Sequence, residues 1–388
     1  MRHVLFALAL FGAAPALGAT HTWIGPTNGT WSNAANWSGG SKPTSGEAGG
    51  TIVQFGANTT SSMDIAGLVV DQIHFTGANN TINGATALTI NGSTLVQNIV
   101  SEAGGNTLGA TLPVAITGAA LEAASSAGTL TIAGPVSGTL GLVFAGSGGD
   151  FALTGSNTYT GPTSILSGAL HIATPVGYVI VGSSITIGDG MGAGAQLVLD
   201  QSSDISPETV VTVNSDGVFD FQSHSDFAKS LTVDGGRVLG ASLNMTGPLV
   251  VNEGTITIGG VLSAGSLSMT GATISGPGLL ALSGDVQAAS SPSGPATLAS
   301  GVRLSASPTV TVTPGAAPEL RVTGVISETG GSRSITKAGT GTMLTSANNT
   351  YTGTTTVSAG TLVANGSHAE RRRVRREPRP AGDHLELR

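Results

Sequence analysis

Short apolar runs recur along most of the chain, and in many of them the apolar residues alternate with Thr or Ser. Leu68-Val69-Val70, Ile73-His74-Phe75, Ala87-Leu88-Thr89-Ile90 and Leu130-Thr131-Ile132 are early examples. Val210-Val211-Thr212-Val213, Thr255-Ile256-Thr257-Ile258 and Val310-Thr311-Val312 are later ones. Successive side chains of a strand point to opposite faces, so a period of two marks a strand with one face buried. Turn dipeptides bound the runs, among them Asn83-Gly84, Asn91-Gly92, Asp216-Gly217 and Asp234-Gly235. No stretch has convincing helical periodicity; Ala119 to Ala127 tolerates a helix but is too rich in small residues and Ser. From about Met63 onward the chain is read as nearly all β.

Many short strands also build sandwiches and barrels. Internal repetition favours a solenoid instead. Residues 153–172 and 345–364 align without gaps, each with Asn-Thr-Tyr-Thr-Gly, then Thr, then Gly-x-Leu. The shared positions are Asn157, Tyr159, Gly161 and Gly168 in one copy and Asn349, Tyr351, Gly353 and Gly360 in the other. Asn-x-Tyr-x-Gly is read as a turn whose aromatic tucks against the preceding coil. The strands that follow form successive sides of one rung. Thr and Asn at stacked positions are expected to form ladders between rungs.

Composition supports a thin core of stacked aliphatic side chains. Aromatics are 4% and charged residues 10%, against about 25% charged in ordinary soluble domains. The chain has 59 Gly and no Cys. Mean hydropathy is +0.25, too high for a disordered low-complexity coil. Without Cys, disulfides, thiolate metal sites and cysteine nucleophiles are excluded.

The two ends differ from the body. Residues 1–19 read as a signal peptide: Arg2 and His3, an apolar Val4 to Gly12, then small residues with cleavage after Gly18 or Ala19. All three Trp, Trp23, Trp31 and Trp37, lie in residues 20–62, which predicts an N-terminal cap over the open end of the solenoid. An exposed carbohydrate-stacking patch is the alternative. Residues 63–365 are the β-helix. Residues 366–388 break abruptly into Arg371-Arg372-Arg373-Val374-Arg375-Arg376, a basic tail expected to be disordered. Its composition points to a truncated or out-of-frame end, with an anion-binding tail as the alternative. The last twenty residues hold 7 of the 15 Lys and Arg, so the body is mildly acidic and offers no basic face for nucleic acid.

The motif, with Lys337-Ala338-Gly339-Thr340-Gly341-Thr342-Met343 ahead of Asn349-Thr350-Tyr351-Thr352-Gly353, resembles the autotransporter-associated β-strand repeat. That repeat occurs in passenger domains of Gram-negative type V secretion. The clearer copy spans 339–364. In the copy at 149–172, Gly149-Asp150-Phe151 replaces the usual Gly-Thr-Leu. The opening Trp23-Ile24-Gly25, Trp31-Ser32 and Asn36-Trp37 is similar to the start of such passengers. The resemblance implies a right-handed parallel β-helix of roughly 20 residues per coil. Residues 63–365 would then give about 15 coils and a rod on the order of 70 Å long. It also implies export to the cell surface or medium through an outer-membrane β-barrel translocator, which this sequence does not contain. Without one, the product is expected to stay in the periplasm.

No constellation predicts catalysis. The seven His are His3, His21, His74, His171, His224, His368 and His384, and none has helical zinc spacing. Ser223-His224-Ser225-Asp226 puts triad residue types side by side, but triads assemble from distant segments. Asp216, Asp220, Asp226 and Asp234 are the best carboxylate cluster for a carbohydrate-cleaving β-helix, and solvated turn acids are the plainer reading. The expectation is a structural or adhesive surface module, not an enzyme, without metal or cofactor. Its partners would be a host surface, extracellular matrix or a second copy, and no segment of the mature chain is apolar enough to cross a membrane as a helix. A carbohydrate-active or esterase passenger, or a non-functional truncated one, are the alternatives.

Overall fold

The computed structural model describes residues 18–93, 97–173, 182–192 and 194–366, plus the backbone of two strands, Val374–Arg376 and Leu385–Leu387. The alternating runs form strands, and each strand pairs in parallel with its counterpart one coil away. Leu231, Leu249 and Leu267 stack in register in this way, as do Ile256, Ile274 and Leu298. The apolar member of each alternation therefore builds an inward column, and the Thr or Ser member builds an outward one. Burying each aliphatic side chain stabilises the coil by about 1.5–3 kcal/mol.

The coil has three faces. Thr51–Phe55, Gln72–Phe75, Ile99–Ser101 and Leu121–Ser125 begin the first. Thr60–Ser62, Thr81–Asn83, Asn106–Leu108 and Gly128–Ile132 begin the second. Val69–Val70, Leu88–Asn91, Val114–Thr117 and Val136–Ser137 form the third as a separate 4-stranded sheet. The third face returns as the ends of Arg237–Asn244 and Thr255–Ala264, followed by Leu279–Leu282, Gly301–Leu304 and Ile326–Glu328. The whole is an all-β parallel solenoid of about 14 coils, on the order of 65 Å long at the strand spacing. Between the first and second faces the chain turns sharply through left-handed backbone. Glycine serves at most of these corners, while Asn58, Asn79 and Glu253 serve at others with φ of 58°, 59° and 51°.

At the N-terminal end Trp23, Trp31 and Trp37 are all buried. Trp37 meets Trp23 and Trp31 edge-on at 5.0 and 5.4 Å, and Phe55 passes the aromatic stack on to Phe75. The indole of Trp31 donates to Ser61 Oγ at 3.0 Å and that of Trp37 to the Trp31 carbonyl at 2.8 Å. The indoles present no exposed stacking face for a sugar. Two short 3-10 turns, Ala34–Asn36 and Ser38–Gly40, lie in the same segment. The strand ladder already begins here, because Ala19–Thr22 pairs with Thr51–Phe55. The cap and the solenoid are thus continuous, with aromatics filling the first coils where aliphatics fill the later ones. The signal segment lies outside the described residues except Gly18 and Ala19. So does the tail from 367 onward, apart from the backbone of its two strands, which pair with Thr355–Val357 and Thr361–Ala364.

Candidate functional site

The two Asn-x-Tyr corners occupy the third face, where neighbouring coils carry a strand. Thr158 N–H donates to the Val136 carbonyl at 2.8 Å, and Thr350 N–H to the Ile326 carbonyl at 2.9 Å. This places Asn157 over Val136 and Asn349 over Ile326, in a column that points inward. Each amide replaces the backbone carbonyl that a continuing strand would supply. Asn157 Oδ1 accepts from Val136 N–H at 2.9 Å, and Asn349 Oδ1 from Ile326 N–H at 2.8 Å. Two residues on, Tyr159 and Tyr351 are buried in the coil. Their hydroxyls bond to Thr163 Oγ1 at 2.7 Å and Thr355 Oγ1 at 2.5 Å, at the start of the next first-face strand. Burial pushes both phenols above their ordinary titration range, with the Thr bonds acting the other way.

Glycines close the corners. A Cβ on Gly161 would overlap the Leu140–Gly141 backbone, and one on Gly353 the Arg333–Ser334 backbone. Gly168 and Gly360 turn the chain from the first face to the second with φ of 78° and 72°. The eight motif residues therefore form two equivalent corner devices, one in each copy.

Several polar groups inside the solenoid were not singled out from sequence. Lys337 is fully buried, and its ammonium donates to the carbonyls of Ala338, Gly339 and Ala359 at 2.9, 2.8 and 3.1 Å. The alternation Ile335-Thr336-Lys337 does place it on the inward side, which was the available signal. Glu319 accepts from Gly315 and Thr342 N–H, each at 2.7 Å. Burial raises its pKa, but these bonds and the Lys337 charge outweigh it and hold the carboxyl below the usual range. Asn80 Oδ1 accepts from Thr59, and Asn106 Oδ1 accepts from Asn80, giving a buried amide ladder through successive coils.

The four sequence-adjacent aspartates do not converge. Asp216 sits at a corner, accepting from Gly190 N–H at 2.8 Å and Gly192 N–H at 3.3 Å. Burial pushes this carboxyl up, and the backbone donors pull it net below its ordinary value. Asp220 lies on the second face and Asp234 at the end of a first-face strand. Asp226 turns inward, and its carboxylate accepts from backbone N–H groups of Asp204, Ile205 and Phe227. The Ser223-His224-Ser225-Asp226 run is therefore not assembled as a triad around that carboxylate. His21, His74 and His171 each meet one carboxylate, at 2.8 Å from Glu47, 2.9 Å from Glu102 and 3.1 Å from Asp200. Among the described residues no group of three or more His, Asp or Glu is placed to hold a metal ion, and no helix is long and apolar enough to cross a membrane. An open groove of about 440 Å³ beside the first coils is lined by Glu47, Asp71 and Asn91 among others. Its acids are engaged: Glu47 with His21 and Thr44, Asp71 with Thr51 N–H and the Asn91 amide.

Fold and corners together define a repeat-built parallel β-solenoid. Residues 146–172 and 335–364 match the passenger-associated-transport-repeat family, covering both corner devices and Lys337. These matches and the parallel β-solenoid support an autotransporter passenger domain with repeats, a family whose members are exported or displayed at the cell surface. No curated protein and no solved structure matches it significantly.

Proposed function

We propose that the chain acts as a structural or adhesive rod, without catalysis, that presents columns of hydroxyls to a surface. The observation that carries this reading is the outward register. Ser164, Thr186, Thr212 and Thr232 stack on the first face. Thr60, Thr81, Thr107 and Thr131 stack on the second, and so do Thr255, Thr273 and Thr297. Each step is one rung, about 4.8 Å, so donors and acceptors recur at fixed intervals along a stiff support. With few charges nearby, binding to such a face would rest on many weak polar contacts. The partner would be a host surface, extracellular matrix or a second copy of the chain.

The test is saturable binding of the purified full chain to immobilised matrix and to whole cells, with sedimentation run in parallel for self-association. Replacing Thr186, Thr212 and Thr232 by Lys should abolish binding and leave the far-ultraviolet spectrum unchanged. Turnover of ester or glycan substrates by the wild type, with no binding, would sink the reading. Fractionation of the producing cells separates surface display or secretion from periplasmic retention.

A further inference from the structure

The chain has six Met and no Cys. Met63, Met245, Met269 and Met343 are no more than 6% exposed and belong to the core of the solenoid, whereas Met191 is 85% exposed. Met1 lies outside the described residues. A thioether is a soft nucleophile, and its reaction with oxidants follows its access to solvent. The indoles that could compete, those of Trp23, Trp31 and Trp37, are buried.

Met191 is exposed because the chain leaves the rod there. The corner between Ile187 and Ala195 is longer than those between Val213 and Gly217 or between Asp234 and Arg237 in the following coils. A Cβ added at Gly192 or Gly194 would meet nothing within 4 Å, so the loop stands clear of neighbouring coils. Its hold on the rod is polar. The Asp216 carboxylate accepts from Gly190 and Gly192 N–H, and Asp189 Oδ1 accepts from Met191 N–H at 2.8 Å. None of these bonds involves the thioether, so they hold the loop whether or not that group is apolar.

We infer that Met191 is the oxidant-reactive site of the rod: its thioether takes one oxygen atom from a peroxide and becomes the sulfoxide, while the coils stay wound. The sulfur lone pair attacks one peroxide oxygen, an S–O bond forms and the O–O bond breaks. The proton on the transferred oxygen passes to the departing hydroxide, and water leaves. Sulfur loses two electrons and the peroxide gains them. The product is a polar group already in water, so it carries no cost of burial. The same change at Met245 or Met269 would put a sulfoxide among the apolar side chains of the core.

Limiting hydrogen peroxide on the folded full chain tests this, with peptide mass mapping and hydrogen exchange as readouts. Met191 should gain one oxygen at least about tenfold faster than Met63, Met245, Met269 or Met343. In denaturant the difference should vanish, since it comes from burial. Met191→Leu should remove the fast phase. The singly oxidised chain should keep wild-type exchange at the Gly188 and Ala195 amides, which bond to the Ile165 and Asp216 carbonyls at the two ends of the loop. Comparable rates at a buried Met of the folded chain, a fast phase that survives Met191→Leu, a preference that persists in denaturant, or faster exchange at Gly188 and Ala195 after oxidation would overturn the assignment.

Discussion

The two repeat coils carry the same corner around opposite interiors. In the first, Phe144 and Phe151 pack at 5.0 Å with their rings tilted by 57°, beside an inward-facing Leu153. In the second, Lys337 takes the place of Phe144, since Phe144 pairs with Ile165 as Lys337 pairs with Val357. Thr345 takes the place of Leu153, pairing with Ala364 as Leu153 pairs with Ile172. A cavity of about 10 Å³, close to one water, borders Lys337, Thr345, Tyr351 and Thr355. Thr345 Oγ1 is buried there without a hydrogen-bond partner among the described residues. The Asn, Tyr and Gly geometry is nonetheless the same in both. The motif therefore specifies how the chain turns and does not specify what fills the coil.

Eight substitutions at five positions test that separation, each read by hydrogen exchange within the affected coil because solenoid coils open locally. Tyr159→Ala should have the largest effect, about 3–5 kcal/mol. Tyr351→Ala should cost less, because that ring already borders a cavity. Equal losses would mean that the corner and not the packing sets the stability. Lys337→Ala should destabilise the second coil by about 3 kcal/mol, since its buried carbonyls lose their ammonium donors. Lys337→Met should recover part of this by refilling the space, and the first repeat coil should be unaffected by either change. Asn157→Ala and Asn349→Ala should each cost about 1–3 kcal/mol, with matching values, because both strand a buried N–H. Unequal values would show that the interior reaches the turn. Tyr159→Phe and Tyr351→Phe should have the smallest effect, about 1 kcal/mol each for the lost hydroxyl bond to Thr.

Much of the fold was legible because its rules are local. Alternation in Val210-Val211-Thr212-Val213 already separates an inward Val211 from an outward Thr212, and the structure pairs those residues with Leu231 and Thr232. The corner motif could be read for the same reason: Asn, Tyr and Gly act within a few residues of one another. The first coils were less legible. Their core is built from Trp23, Trp31, Trp37 and Phe55, which lie in irregular segments as well as strands and leave no periodic trace. His171 alternates with the inward Leu170 and Ile172, and it meets Asp200 on the outward side.

The sequence by itself determined that the chain is β throughout, where it turns, and that two of its coils share one corner. Local sterics and side-chain alternation are enough for that, since they act between adjacent residues. Only the tertiary structure decided which polar groups are enclosed. Lys337, Glu319, Asp226 and the Asn80–Asn106 ladder find their partners in coils 20 or more residues away or at corners whose register is fixed by stacking. A charged group can remain buried only where a neighbouring coil presents the donor or acceptor it needs, and that presentation exists only once the coils are wound.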